Sequence, residues 1–187
     1  MKVTSRDPAD QPMEYIATSG GIHIDMTIHD FDMVRYLSGS EVTEVVAYGS
    51  CANPDYAQYN DVDTTIIMLK FENGALGVID NTRASKYGYD QRTEVQCVGG
   101  CVQVSNDLEN TAMISSAEGV SSAKPTWFFL ERYNDAFVAE EQAFADAVLN
   151  DTEVPVNGHD GLMPVAIAIA AKKSLDEGRA VKLSEVL

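Results

Sequence analysis

The feature that most constrains this chain is a change in the period of its apolar residues. Ile24, Ile28, Phe31, Val34 and Leu37 recur at steps of three and four, the spacing of one face of an α-helix, and Gly39 stands just beyond as a stop. Directly afterwards the pattern alternates. "EVTEVVAYGS" is rich in β-branched residues and reads as a strand, and "VDTTIIMLKF" and "ALGVIDNTRA" flank Asn73-Gly74. Asn-Gly supplies the backbone that tight hairpins demand, so these are two strands joined by a turn. "RTEVQCV" and "CVQVS" form a second hairpin across Gly99-Gly100, and "TAMISS" is a further strand. The helix period then returns. "ERYNDAFVAEEQAFADAVL" places Phe137, Glu141, Phe144 and Val148 on one side, and "GLMPVAIAIAAKKSLDEG" is a largely buried helix ending at Gly178. "AVKL" closes the chain as a short strand, while residues 1–19, with Pro8 and Pro12 among polar neighbours, read as an extended arm.

A run of strands followed by helices predicts an α+β fold: a large, mostly antiparallel (mixed) β-sheet with helices packed on one face. Strands such as "TTIIMLKF" carry apolar residues on both faces. The uncovered face is therefore expected to meet another copy, giving a homo-oligomer through the sheet.

With 187 residues the chain can bury a sizeable core. Its 13 basic and 29 acidic residues leave a net charge of −16, which argues against nucleic acid or an anionic membrane as partner. The acidic residues are scattered, so they read as a solvated surface. No apolar run approaches the roughly 20 residues of a membrane-spanning helix. The opening "MKVTSRDPADQP" lacks the apolar centre of a signal peptide, so a cytoplasmic setting is expected. Cys51, Cys97 and Cys101 lack the partners of a zinc site and read as structural or free thiols. No G-x-G-x-x-G follows a strand, and neither a P-loop nor a G-x-S-x-G elbow is present. A nucleotide cofactor would find its main cradle elsewhere.

The chemistry concentrates in "SGGIHIDMTIHDFDMVRYL". On a continuous helix Asp25 and His29 share a face, and Asp32 extends the stripe. A carboxylate beside an imidazole fixes the ring and raises its proton affinity, which suits a general base removing a hydroxyl proton. Two other readings stay open. Asp25 could serve the helix N-terminus, with Asp30 solvated and His29 an interior histidine; or His23, Asp25 and His29 could form a two-histidine, one-carboxylate metal set. Trp127 and Phe128 read as anchors of the late helix, and His159-Asp160 as a cap and turn before the last one.

The same segment resembles the motif that opens the C-terminal domain of the glucose–fructose oxidoreductase/inositol dehydrogenase/rhizopine catabolism family, here Gly20-Gly21, Asp25, His29 and Asp32. "TSRDP", "KYGYDQRTEV", "FFLERY" and "DGLMPVAIAIAAKKSLDEGRAV" look like its inositol 2-dehydrogenase branch, so the resemblance covers nearly the whole chain. It implies that residues 1–187 are a substrate-binding and oligomerisation domain, a dimer or tetramer, whose N-terminal Rossmann domain, with the glycine-rich loop for NAD, is absent from this chain. It implies oxidation of a ring hydroxyl of myo-inositol or a related polyol or sugar to a ketone, with this chain inactive alone. His29 would then be the general base and Asp25 its support. Asp7 and Tyr89 would bind substrate with them. No metal is implied. His23 stands where a bulky apolar residue is expected, and Ser5 and Asp7 depart from the "HRNP" form of a related motif.

Overall fold

The structure, a computed structural model, describes residues 1–187. Its sheet strands are β1 (Lys2–Arg6), β2 (Val42–Ser50), β3 (Thr64–Phe71), β4 (Leu76–Thr82), β5 (Asp90–Cys97), β6 (Gly100–Val104) and β9 (Val181–Lys182), with β7 (Met113–Ser116) and β8 (Gly119–Ser122) forming a separate hairpin. The helices are α1 (Met13–Ser19), α2 (Ile22–Asp25), α3 (Thr27–Ser38), α4 (Phe129–Arg132), α5 (Asn134–Asn150) and α6 (Gly158–Glu177), and a 3₁₀ turn spans Pro54–Tyr59. The seven-stranded sheet runs β6-β5-β1-β4-β3-β2-β9. Every pairing is antiparallel except β1 with β4. The expected α+β architecture is the one observed.

The alternation of β3 shows how the layers form. Thr65, Ile67, Leu69 and Phe71 are buried on the helix-covered face, while Ile66 and Met68 face outward. An 18-residue core joins Ile67 and Leu69 to Phe31 and Val34 of α3, Val45 and Ala47 of β2, and Ile167, Ala170 and Ala171 of α6. The alanines let α6 lie close on the strands. Asn157 caps α6 by accepting from the His159 amide at 2.8 Å, and Asp160 completes a capping box. His159 and Asp160, expected as a cap and turn before this helix, instead lie in its first turn, and the cap itself is Asn157. The open face exposes Tyr48, Ile66, Met68 and Leu76. No helix is long and apolar enough to cross a membrane.

Three local readings change. The extended arm is instead β1, a central strand between β4 and β5, followed by α1. The late helix is interrupted at Tyr133, and Trp127 is exposed, so it does not anchor α5; Phe128 packs on Phe129 with centroids 4.5 Å apart. The β5–β6 hairpin forms, but it does not bring together Cys97 and Cys101, the two thiols that flank its Gly-Gly turn: Cys97 pairs with Gly100 and Cys101 with Gln96. Adjacent rungs of the ladder point to opposite faces, so the two thiols lie on opposite sides of the sheet.

Candidate functional site

One end of the sheet gathers the chemically active residues because of the strand directions. β1 and β4 run parallel and finish there; β3 and β5, antiparallel to them, begin there, as the registers Arg6↔Thr82, Arg6↔Asp90 and Thr64↔Thr82 show. Asp7, Arg83 and Tyr89 lie just past these rungs, and their amides continue the backbone bonding to Thr82, Asp63 and Thr126 at 2.9–3.0 Å. Val3 and Ile79 share a rung and point into the core, so the period of two carries Ser5 and Asp7, and Asn81 and Arg83, along the same helix-covered face.

The helical layer reaches this end through Gly20-Gly21. Both glycines have positive φ, +86° and +87°, and a Cβ on Gly21 would stand 3.1 Å from Asp61 Oδ1. Only glycine suits that turn. It lets Asp61 Oδ1 accept from the Ile22 amide at 2.9 Å and so fixes the start of α2. Asp25 ends α2, and Met26, at φ −113° and ψ −57°, breaks the helix before α3. Asp25 and His29 therefore do not sit on one continuous helix. Asp25 Oδ2 accepts from Arg83 Nη1 at 2.7 Å and its Oδ1 accepts from the Tyr15 hydroxyl. No hydrogen bond or ion pair joins it to His29, which is exposed. The bond to Asp25 raises the pKa of the Tyr15 phenol.

Asp7 is partly buried, and burial pushes its carboxyl up to about 6, with Arg83 opposing and Asp25 reinforcing the shift. Its charge also contributes, as a minor cause, to the raised values of Tyr15, Tyr89 and Asp30, so the four groups share one end of the sheet. Burial likewise pushes the Tyr89 phenol far up, and its ring meets Tyr133 edge-on at 6.0 Å. Asp30 is not solvated. At 2% exposure it accepts from Asn81 Nδ2 at 2.8 Å and Gln91 Nε2 at 3.1 Å, yet burial prevails and holds its carboxyl at about 6. Thr27 donates to Asn81 Oδ1 at 2.6 Å, so one polar network pins α3 to β4 and β5.

His23 turns to β3. Its Nε2 lies 3.2 Å from Thr65 Oγ1, and burial pushes the ring down to about 4, so it is neutral near pH 7. The set His23, Asp25, His29 is not assembled, and no group of three His, Cys, Asp or Glu side chains is placed to hold a metal ion. Asp32, half exposed, pairs with Arg35 at 3.1 Å instead of joining Asp25. Arg83, Asp61, Tyr15, Asn81 and Gln91 were absent from the sequence reading. Alternation from Ile79 through Asn81 does carry Arg83 onto the covered face, and that was the available signal.

The arrangement defines a class: an open-sheet α+β domain with an acid-rich, phenol-lined polar site at the strand ends. The chain belongs to the family described as "Oxidoreductase family, C-terminal alpha/beta domain", whose model matches residues 1–183. It is 47% identical over 188 residues to the myo-inositol 2-dehydrogenase of Thermotoga maritima, a match covering 100% of this chain and 56% of that relative. A solved structure described as a probable dehydrogenase from Thermotoga maritima superposes with a TM-score of 0.96 at 47% identity, covering 100% of this chain and 56% of the other. The scyllo-inositol dehydrogenase of Lactobacillus casei, solved with bound NAD(H) and scyllo-inositol, gives a TM-score of 0.87 at 29% identity over 98% of this chain and 56% of its own. The chain thus spans about half the length of the relatives it matches.

Proposed function

We propose that this chain is the substrate-binding and assembly domain of an NAD-dependent oxidoreductase that oxidises a ring hydroxyl of myo-inositol or a related polyol to a ketone. The observation that carries the reading is the convergence of Asp7, Asp25 and Tyr89 at one end of the sheet, in a chain whose relatives include inositol 2-dehydrogenases. A ring bearing a hydroxyl on each carbon needs acceptors and donors from several directions, and carboxylates and phenols supply both. The same carboxylates disfavour phosphorylated or acidic sugars.

The chain's own residues do not fit the cofactor. Its Gly20-Gly21 turn has the first free amide, that of Ile22, already occupied by Asp61, whose charge would repel a pyrophosphate, and its other glycine pair, Gly99-Gly100, joins two strands and opens no helix. NAD would be held by residues outside this chain, and when bound it supplies the hydride acceptor. What falls to these residues is binding and proton transfer. Tyr89 donates to a ring hydroxyl, Asp7 and Asp25 accept from neighbouring ones, and the His29 imidazole, open to solvent, takes the proton of the reacting hydroxyl and releases it to water. The break at Met26 leaves Asp25 at the end of α2, held by Tyr15 and Arg83, and His29 in the first turn of α3. Copies associate through the open face of the sheet.

The test follows NADH formation from myo-inositol and a panel of sugars by a polypeptide joining this chain to a cofactor domain. Turnover on inositol should fall ~10²–10⁴-fold in His29→Ala, the range for losing a general base. The 187-residue chain alone should form no NADH. A variant as fast as the parent would leave a binding domain in which these residues do no chemistry.

A further inference from the structure

The strand-end cluster contains a buried cation whose contact with Asp25 has a consequence for the proposed chemistry. Arg83 follows β4 directly and its side chain is fully enclosed, at 0% exposure. Nη1 donates to Asp25 Oδ2 at 2.7 Å, Nη2 lies 3.7 Å from Asp61 Oδ2, and the guanidinium stands 6.0 Å from the Tyr56 ring centroid. Arg83 Nε, Arg83 Nη2 and Asp61 Oδ2 are buried without any hydrogen-bond partner. Unpaired buried polar atoms are costly, so a pairing that served only the fold would close the 3.7 Å gap. The one short ionic bond goes instead to Asp25.

The three side chains also differ in what they face. Arg83 is anchored through its backbone to Asp63, and Asp61 through its Oδ1 to the Ile22 amide. Asp61 is 6% exposed and Asp25 is 15% exposed, so Asp25 alone of the three opens towards the site. We infer that Arg83 is a positioning residue. Its guanidinium, standing between Asp61 and Asp25, aims the Asp25 carboxylate at the ligand, and Asp61 is the standing counter-ion that keeps the guanidinium in place when a ligand hydroxyl draws Asp25 forward. The slack between Arg83 and Asp61 is what permits that exchange of partners. This inference rests on the reading that Asp25 contacts substrate.

The decisive variants are Arg83→Lys, which keeps the charge but loses the fork that spans two carboxylates, and Asp61→Asn, whose Oδ1 can still accept from Ile22. Two readouts separate aim from mere support. In the labelled 187-residue chain, the NMR signals of the Tyr15 ring, assigned by Tyr15→Phe, report on its bond to Asp25. They should move in Arg83→Lys while the amide fingerprint stays folded. In the polypeptide with a cofactor domain, kcat/KM for myo-inositol should fall ~10–100-fold in Arg83→Lys, the scale of a misaimed contact. It should fall about threefold or more in Asp61→Asn, and the double variant should be no worse than Arg83→Lys, as expected for one coupled unit. A folded Arg83→Lys with parental kinetics and unmoved Tyr15 signals overturns the inference. If Arg83→Lys does not fold, Asp61→Asn decides alone, and parental kcat/KM there overturns it. Absence of parental turnover on every polyol would sink the dehydrogenase reading, and the Tyr15 signals would still show whether Arg83 aims Asp25.

Discussion

The two faces of the central strands carry similar residues and meet different fates. On β3, Ile67 is 0% exposed beneath α3 and α6, whereas its neighbour Ile66, one residue away, is 50% exposed on the other side. The covered face also encloses charge: Asp30 and Arg83 are buried at its strand ends, with Asp7 partly so. The open face keeps most of its charges in partly wet pairs such as Lys70–Glu44 and Arg6–Asp80, with Asp90, enclosed at the sheet end, as the exception. Covering by helices is what raises the local stakes, since the same methyl or carboxylate matters more once water is gone.

The largest expected effect is therefore a truncation on the covered face. Ile67→Ala removes fully buried methyls from a core of 18 residues and should lower the unfolding free energy by ~2–5 kcal/mol in chemical denaturation. Ile66→Ala, the matched change on the open face, should cost far less. Equal losses would mean the two faces are not as different as their burial.

A smaller effect, with opposite signs at two positions, comes from the groups the helices enclose. Asp7 binds its proton more tightly in the folded chain, at about 6, than its ordinary value of 3.8. Its contribution to stability is present below about pH 4 and is lost as the pH rises through 6. His23 is shifted the other way, from 6.5 down to about 4, so its contribution is present above 6.5 and is lost as the pH falls towards 4. Unfolding midpoints measured from pH 4 to 7 should show Asp7→Asn gaining on the parent as the pH rises. His23→Gln should gain on it as the pH falls. Parallel curves for all three proteins would break the assignment of burial as the cause.

Much of this was legible in the sequence where one period was strong and local. The strands from Val42 to Val104 were visible because alternation repeats and the Asn73-Gly74 turn joins neighbours. β1 was not, because five residues, KVTSR, carry one large apolar side chain and its parallel partner lies some 75 residues away. The helix break at Met26 was hidden because the apolar spacing runs through it unchanged; it follows from how α2 is tied to Asp61. Asp25 was named from its spacing to His29, and Asp7 and Tyr89 from resemblance; the three gather at one end of the sheet, although Asp25 meets Arg83 and Tyr15 instead of His29. A solvated Asp30 stayed among the open readings because nothing local announces Asn81 and Gln91, which reach it from distant strands.

The smallest effect on stability should come from the open face, and it is also the most informative about assembly. Val46, Met68 and Val78 occupy one rung across three strands, with Tyr48 and Ile66 on the next, so the exposed apolar side chains form one continuous patch. Placing a charge at its centre with Met68→Lys changes a side chain already 49% exposed, and the unfolding free energy of the isolated chain should shift by no more than ~0.5 kcal/mol. Association should respond much more strongly, because an unpaired ammonium buried between two sheets is costly to desolvate. Sedimentation of parent and variant at equal concentration should show the parent as an oligomer and Met68→Lys as a monomer. An unchanged mass would place any contact between copies elsewhere and leave the apolar residues of this face facing water for some other reason.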